Sequence, residues 1–333
     1  MGDTPTPLQN AVIDLLREAA ARSSRPETIL FQLSEALWNA GREPEAAEAF
    51  RRAYLGHPDS GLFVPTPETD ARRLRHRAAS LIAHGAMFSP VIAALAVANA
   101  MLGDVDGACR LVDYDRFCRC YPVSPPAGFA SAAAFNAALV ADVKSDLTFY
   151  DEGNAANLLA TRRSWRNNNV LGTASPACRA IADVVRAAIE RYITDLPDDP
   201  DHPFIASRPS AFVLEGWAIV SRGEGYLRPH LHPRAWLSAV YYVTQPEISK
   251  DASRKLGWLR LGLPDDYGLD PATGWEERLL EPKQSMLLLM PSYFVHGTQP
   301  MGSDEDRISV AFDIVPREIA AASPRPERRN PLA

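Results

Sequence analysis

Two of the seven histidines stand two positions apart, as His230 and His232 in the segment YLRPHLHPRAWLSAVYYV. If this segment enters a strand, residues i and i+2 point to the same side, and the spacing presents two imidazoles together as a chelating pair. The alternative is that both rings pack in an apolar patch and each finds its own hydrogen-bond partner. A third histidine, His296, follows the apolar run SMLLLMPSYF. Eleven positions further on, Arg307 opens a strand-like run in which Arg307, Ser309, Ala311 and Asp313 alternate with Ile308, Val310, Phe312 and Ile314. A guanidinium and a hydroxyl two residues apart on one face form a fork suited to a carboxylate. A buried arginine needs an anion, because an unpaired buried charge costs several kcal/mol. Either a ligand supplies that anion or one of Asp304, Glu305, Asp306 and Asp313 does.

The elements that must position these residues differ between the two halves of the chain. Residues 1–125 are rich in Ala and Leu, with helical periodicity and few strand signals. Proline and glycine in YPVSPPAGF, residues 121–129, suit a linker. Residues 130–200 read as a helical lead-in, with SPACRAIADVVRAAIERYI as its best helix, Ser175 as N-cap and Pro176 at the first helical position. From 205 to 316 the texture is β-rich: FVLEGWAIV, WLSAVYYV, SMLLLM and ISVAFDIV are separated by Gly, Pro and Asp turns. Residues 317–333, ending in SPRPERRNPLA, read as a tail. The fold class expected is therefore α+β.

The helical half carries a pattern of its own. In ILFQLSEALWNAGREPEAAEAFRRAYLGHPD, Leu30, Leu33, Ser34 and Leu37 share one helix face, Gly41 marks a turn, and Ala46, Phe50 and Ala53 line a second helix before Pro58. This resembles the tetratricopeptide repeat, a 34-residue helix–turn–helix unit. A weaker match runs through Leu95, Ala96, Gly103, Ala108 and Val112. Ordinary helix pairs share much of the pattern. His57, His76 and His84 have no partners at ligand spacing, so a docking surface for a protein or peptide, or a homodimer interface, is the expected role of this half.

Taken in order, HLHP, WLSAVYYV, GWLRLG, EPKQSMLLLMPSYFVHG and DRISVAFDIVP resemble the double-stranded β-helix (a jelly-roll, cupin-like architecture) of iron(II)- and 2-oxoglutarate-dependent dioxygenases. The likeness is to the bacterial and phage branch related to prolyl hydroxylases. The resemblance covers residues 205–316. It implies Fe(II), 2-oxoglutarate and O2, with His230 and His296 as metal ligands and Arg307 as the anchor of the far carboxylate of 2-oxoglutarate. Ser309 and Tyr242 match groups that assist that anchor. Gly257 and Leu259 of GWLRLG fit a Gly-Gly-x-Leu strand of the family. One departure stands out: the family's triad is two histidines and one carboxylate, and His232 stands where the carboxylate belongs. Three options follow. His232 is itself a ligand, or it sits behind the site while water or another anion fills the position, or a carboxylate from elsewhere reaches the iron. The first is the expectation, since imidazole suits iron and the spacing is right. The activity implied is hydroxylation of a C–H bond in a peptide or protein side chain, or in an amino-acid-derived small molecule, with release of succinate and CO2. Two alternatives remain: a three-histidine cupin-type oxygenase that does not use 2-oxoglutarate, and a non-enzymatic tetratricopeptide adaptor with a degenerate barrel.

Composition narrows the remaining classes. With 46% hydrophobic and 23% charged residues the chain is an ordinary globular protein. A net charge of −6 and a pI near 5.7 argue against general binding to nucleic-acid phosphates. Cys109, Cys118, Cys120 and Cys178 match neither a disulfide framework nor a zinc site, and the expectation is free thiols in a reducing compartment. No secretory leader and no membrane span is legible, so the expected location is the cytoplasm.

Overall fold

The apolar periodicity of the first hundred residues becomes a series of helices packed in sequential pairs. The computed structural model describes residues 5–58, 69–150, 160–262 and 277–324. Helices α1 (Pro7–Arg22), α2 (Glu27–Asn39), α3 (Glu43–Gly56), α4 (Ala71–Ala83), α5 (Ser89–Met101), α6 (Val105–Leu111) and α7 (Tyr114–Phe117) come first. Then follow β1 (Arg119–Pro122), α8 (Ala132–Lys144), β2 (Thr148–Tyr150), β3 (Thr161–Asn167), α9 (Pro176–Asp195) and α10 (Pro203–Ala206). The β-rich part comprises β4 (Phe212–Leu227), β5 (Leu237–Thr244), β6 (Leu259–Leu261), β7 (Arg278–Leu280), β8 (Met286–Pro291), β9 (His296–Thr298) and β10 (Ser303–Pro316), and α11 (Arg317–Ala322) closes the described chain. The architecture is mixed helix and antiparallel sheet. No helix among the described residues is long and apolar enough to cross a membrane.

Helix pairs α2/α3 and α5/α6 occupy the two stretches singled out in the helical half. Gly41 takes φ +71° between α2 and α3, and Gly103 takes φ +76° between α5 and α6. In that left-handed region glycine has no Cβ penalty. The small residues at Ser34 and Ala46 let α2 and α3 approach, with the Ser34 hydroxyl donating to the Ala46 carbonyl at 2.8 Å and Phe50 buried beside them.

The main sheet has seven strands in the order β1-β8-β5-β10-β4-β3-β2, and a second sheet has the order β7-β6-β9. Strand β10 lies at the centre of the main sheet and pairs antiparallel with both β4 and β5. Its two faces differ by the two-residue period of a strand. Ile308, Val310, Phe312 and Ile314 enter a core shared with α9, where Ile181, Val185 and Ile189 recur at helical spacing. Each of those three aliphatic side chains contributes about 1.5–3 kcal/mol through burial. Ser175 caps α9 by accepting from the Cys178 amide, and Pro176 opens the helix. The opposite face of β10 carries Ala311 against Trp217 and Ile219, in line with Arg307, Ser309 and Asp313.

Four boundaries differ from the sequence reading. The lead-in at 130–200 is not purely helical: β2 and β3 extend the main sheet beyond β4. TRRSWRN escaped notice as a strand because arginines occupy buried positions that usually hold apolar residues. Strand β1 falls across the expected helical half and linker, and pairs with β8. Residues 317–322 of the expected tail form α11, whose Ile319 is buried in the same apolar cluster as α3 residues and Val315. The rest of that tail, from 325 on, lies outside the described residues. Finally, HLHP is not in a strand. Pro229 precedes it and Pro233 ends it, proline supplies no N–H for a ladder, and His230 makes only an isolated bridge with His296.

Candidate metal and carboxylate site

The loop between β4 and β5 is pinned on every side. His230 and His296 exchange backbone hydrogen bonds at 2.9 Å in each direction, and the His232 amide donates to the Ser292 carbonyl at 2.9 Å. Past the histidines, Arg234 is 2% exposed, 3.2 Å from the Glu215 carboxylate and 3.1 Å from the Ser323 hydroxyl. The helical half also reaches the loop. The Tyr54 hydroxyl donates to the Pro233 carbonyl, and the Ser89 hydroxyl donates to the Ala235 carbonyl at 2.6 Å. Gly297, next to His296, lets β9 come close: a Cβ there would meet the Leu227 carbonyl oxygen at 2.8 Å.

These constraints gather three rings. The centroid separations are 5.0 Å for His230 and His232, 4.3 Å for His230 and His296, and 5.0 Å for His232 and His296. One ring nitrogen from each histidine lies within 4.8 Å of the others, an arrangement able to hold a metal ion. His232 and His296 are buried, and His230 is partly exposed.

The outer nitrogens decide the chemistry of the inner ones. Nδ1 of His230 lies 2.9 Å from the Arg228 carbonyl, and Nδ1 of His296 lies 2.8 Å from the Phe294 carbonyl. A carbonyl only accepts, so each Nδ1 carries the hydrogen. Nδ1 of His232 faces the Asp313 carboxylate, which likewise accepts. Burial, reinforced by the neighbouring imidazoles, holds His230 well below the usual histidine range and His296 down at about 3. Those two rings are therefore neutral, with an Nε2 lone pair directed into the cluster. Nε2 of His232 and Nε2 of His230 are only 3.1 Å apart. A cation shared between the two Nε2 atoms would meet both of them. Two nitrogen ligands about 2.1 Å from a shared ion and at right angles would be about 3 Å apart, so the spacing fits a transition-metal ion.

Arg307 and Ser309 lie on the face of β10 that carries Asp313. Arg307 is 2% exposed, and its guanidinium lies 5.5 Å from the centre of the Tyr242 ring. Its Nε has no hydrogen-bond partner among the described residues, and no carboxylate there forms an ion pair with it. The acids considered as structural partners are engaged elsewhere or exposed: Asp306 lies 2.7 Å from Lys144, Asp313 faces His232, and Asp304 and Glu305 point to solvent. Ser309 is buried and pairs in register with Tyr242 across β10 and β5. Burial pushes the Tyr242 hydroxyl up to about 12 against the opposing pull of Arg307, so it stays a neutral donor.

Sequence reasoning missed two contributors. The sequence puts Asp313 on one face with Arg307 and offers it only as a partner for that arginine. Arg166, on β3, lies with its guanidinium 5.1 Å from the Trp217 ring, which in turn is 5.6 Å from His232. The charge of Arg166 also opposes protonation of His230. The signal for Asp313 was its period-two alignment with Arg307; for Arg166 there was none in the local sequence.

A family model described as "Putative 2OG-Fe(II) oxygenase" matches residues 215–313. That match puts this segment, which holds all three histidines and Arg307, in the 2OG-Fe(II) oxygenases, an enzyme family that uses Fe(II) and 2-oxoglutarate. Similar solved structures include a prolyl-4-hydroxylase from Pseudomonas putida, at 19% identity over 65% of this chain and 98% of that one, with a TM-score of 0.40. A prolyl hydroxylase from Trichoplax adhaerens, in complex with a hypoxia inducible factor oxygen degradation domain peptide fragment, gives 14%, 68%, 94% and 0.42 in the same order. HygX from Streptomyces hygroscopicus, with nickel, 2-oxoglutarate and hygromycin B bound, gives 15%, 62%, 86% and 0.38. No curated protein matches the chain.

Proposed function

We propose that the β-rich half is a double-stranded β-helix in which His230, His232 and His296 hold Fe(II), and that the enzyme hydroxylates a C–H bond. The observation that carries this reading is the convergence of three Nε2 atoms, two of them 3.1 Å apart, with every Nδ1 held from behind. Such a cluster keeps its ligands oriented before any ion arrives. When bound, Fe(II) with 2-oxoglutarate and O2 supplies the oxidising power for C–H hydroxylation, with succinate and CO2 released.

The chain's own residues then have distinct tasks. Arg307 holds the far carboxylate of 2-oxoglutarate as a two-point donor, with Ser309 and Tyr242 as further donors. The buried Tyr242, in register with Ser309, covers that carboxylate on the β5 side. Trp217, whose ring lies 5.6 Å from that of His232, and Arg166 beside it border the cluster and would help shape the substrate side. The helical half serves as a tetratricopeptide-like docking surface, favouring a peptide or protein substrate over an amino-acid-derived small molecule. Tyr54 and Ser89 tie that half to the histidine loop, which gives a docked partner a direct route to it.

A cupin-type site without 2-oxoglutarate leaves Arg307 buried with no carboxylate, so it is the less favoured reading. The substrate proposal is tested by mass spectrometry of candidate peptides and amino acids incubated with the enzyme. The expected result is a gain of one oxygen that requires both iron and 2-oxoglutarate. Oxygen gain without 2-oxoglutarate would instead support the cupin reading.

A further inference from the structure

The proposed iron site holds three imidazoles where a two-histidine, one-carboxylate site would carry a negative charge. That charge has not left the neighbourhood. Asp313, 2% exposed, receives the Nδ1 hydrogen of His232 and lies 3.4 Å from the Ser238 hydroxyl. Ser238 in turn hydrogen-bonds Ser292 at 2.8 Å, whose carbonyl holds the His232 amide. One buried network thus fixes both the backbone and the ring of His232. Its carboxylate, that of Asp313, lies one imidazole away from the cluster.

We infer that Asp313 is a positioning residue that supplies, through His232, the charge the missing ligand carboxylate would have supplied. This rests on the reading of the three histidines as a metal site. A carboxylate behind a ligating imidazole fixes the tautomer and makes Nε2 a stronger donor. His232 is then a ligand rather than a bystander, and the carboxylate has been displaced outward rather than lost. A site built this way tolerates one carboxylate, either in direct contact with the ion or behind the ring at position 232.

The test is an anaerobic Co(II) titration of the full chain, read by visible ligand-field bands. Asp313→Asn keeps an oxygen that accepts the Nδ1 hydrogen and removes only the charge. It should weaken Co(II) binding about 10- to 100-fold while the shape of the spectrum stays that of the parent. His232→Asp combined with Asp313→Asn moves the carboxylate to the ligand position and should restore affinity to within about tenfold of the parent. Should Asp313→Asn alone not fold, the double variant carries the test. Parent-like affinity in Asp313→Asn, or no recovery in the double variant, overturns the inference while leaving the metal site intact. No Co(II) uptake by the parent overturns the metal reading itself, and the inference with it.

Discussion

Replacing Arg307 by Met should have opposite effects on the ligand-free and the ligand-bound protein. In the ligand-free structure the guanidinium is 2% exposed, its Nε has no partner among the described residues, and burial pulls its pKa down. Methionine fills a similar volume without the buried charge. Substituting well-packed apolar residues for buried ionic groups is often neutral or stabilising by about 1–4 kcal/mol. The stacking on Tyr242, worth about 0.5–2 kcal/mol, is lost in exchange. The denaturation midpoint of the metal-free variant should therefore equal or exceed that of the parent. Binding of 2-oxoglutarate should suffer heavily. Truncating one partner of a buried charge pair costs about 2–5 kcal/mol. With Ser309 and Tyr242 still able to donate, the lower half of that range applies, or a loss of about 30- to 300-fold in affinity. The assay is anaerobic titration of the Fe(II) protein with 2-oxoglutarate, followed by visible absorption, beside a separate measurement of iron affinity, which should not change. A variant that binds 2-oxoglutarate as the parent does, and unfolds at markedly lower denaturant, would show that Arg307 is a structural residue and the reasoning unsound.

Other outcomes follow from the same geometry. His230→Ala and His296→Ala should each abolish stoichiometric iron binding in equilibrium dialysis, and iron retained by either variant excludes that ring as a ligand. Gly297→Ala should weaken iron binding and lower stability by about 1–3 kcal/mol, because the new methyl meets the Leu227 carbonyl at 2.8 Å and pushes β9 from the histidine loop; unchanged stability would refute that close approach. The metal-free protein should lose stability as pH falls. His230 and His296 have folded-state pKa values below the ordinary value near 6.5, so the folded state binds fewer protons than the unfolded one. Stability is then complete above about pH 6.5 and declines toward about pH 3, by up to about 1.4 kcal/mol per pH unit for each ring. Denaturant midpoints measured across that window should fall for the parent and stay flatter in a His230→Gln, His296→Gln double variant. Equal slopes would assign the acid sensitivity to other groups.

Residue type and spacing made part of this site legible. Histidines at 230, 232 and 296 are scarce residues among apolar runs, and Arg307 with Ser309 stands out by period two on an otherwise apolar strand. Strand runs such as WLSAVYYV and the capped helix at 176 were equally plain, because one local pattern dictates each. What stayed hidden depends on contacts between distant residues. The His232–Asp313 hydrogen bond spans 81 positions, and no local pattern announces it. Strand β3 has arginines at buried positions, which makes sense only once the neighbouring site is known. HLHP looked like a strand because its spacing fits one; Pro229 and Pro233 hold it in a loop, and the imidazoles meet through the bridge between His230 and His296 instead. Residues 317–322 lacked a visible reason to be ordered until α3 supplied a surface for Ile319.

The most direct test of the central claim is an anaerobic titration of the purified chain with Fe(II) and then 2-oxoglutarate, watched in the visible range. The account predicts one iron bound per chain and a weak charge-transfer band that appears only on adding 2-oxoglutarate and is lost in His296→Ala. Tight iron binding with no band would contradict the role of Arg307, and no iron binding at all would contradict the assignment of the three histidines.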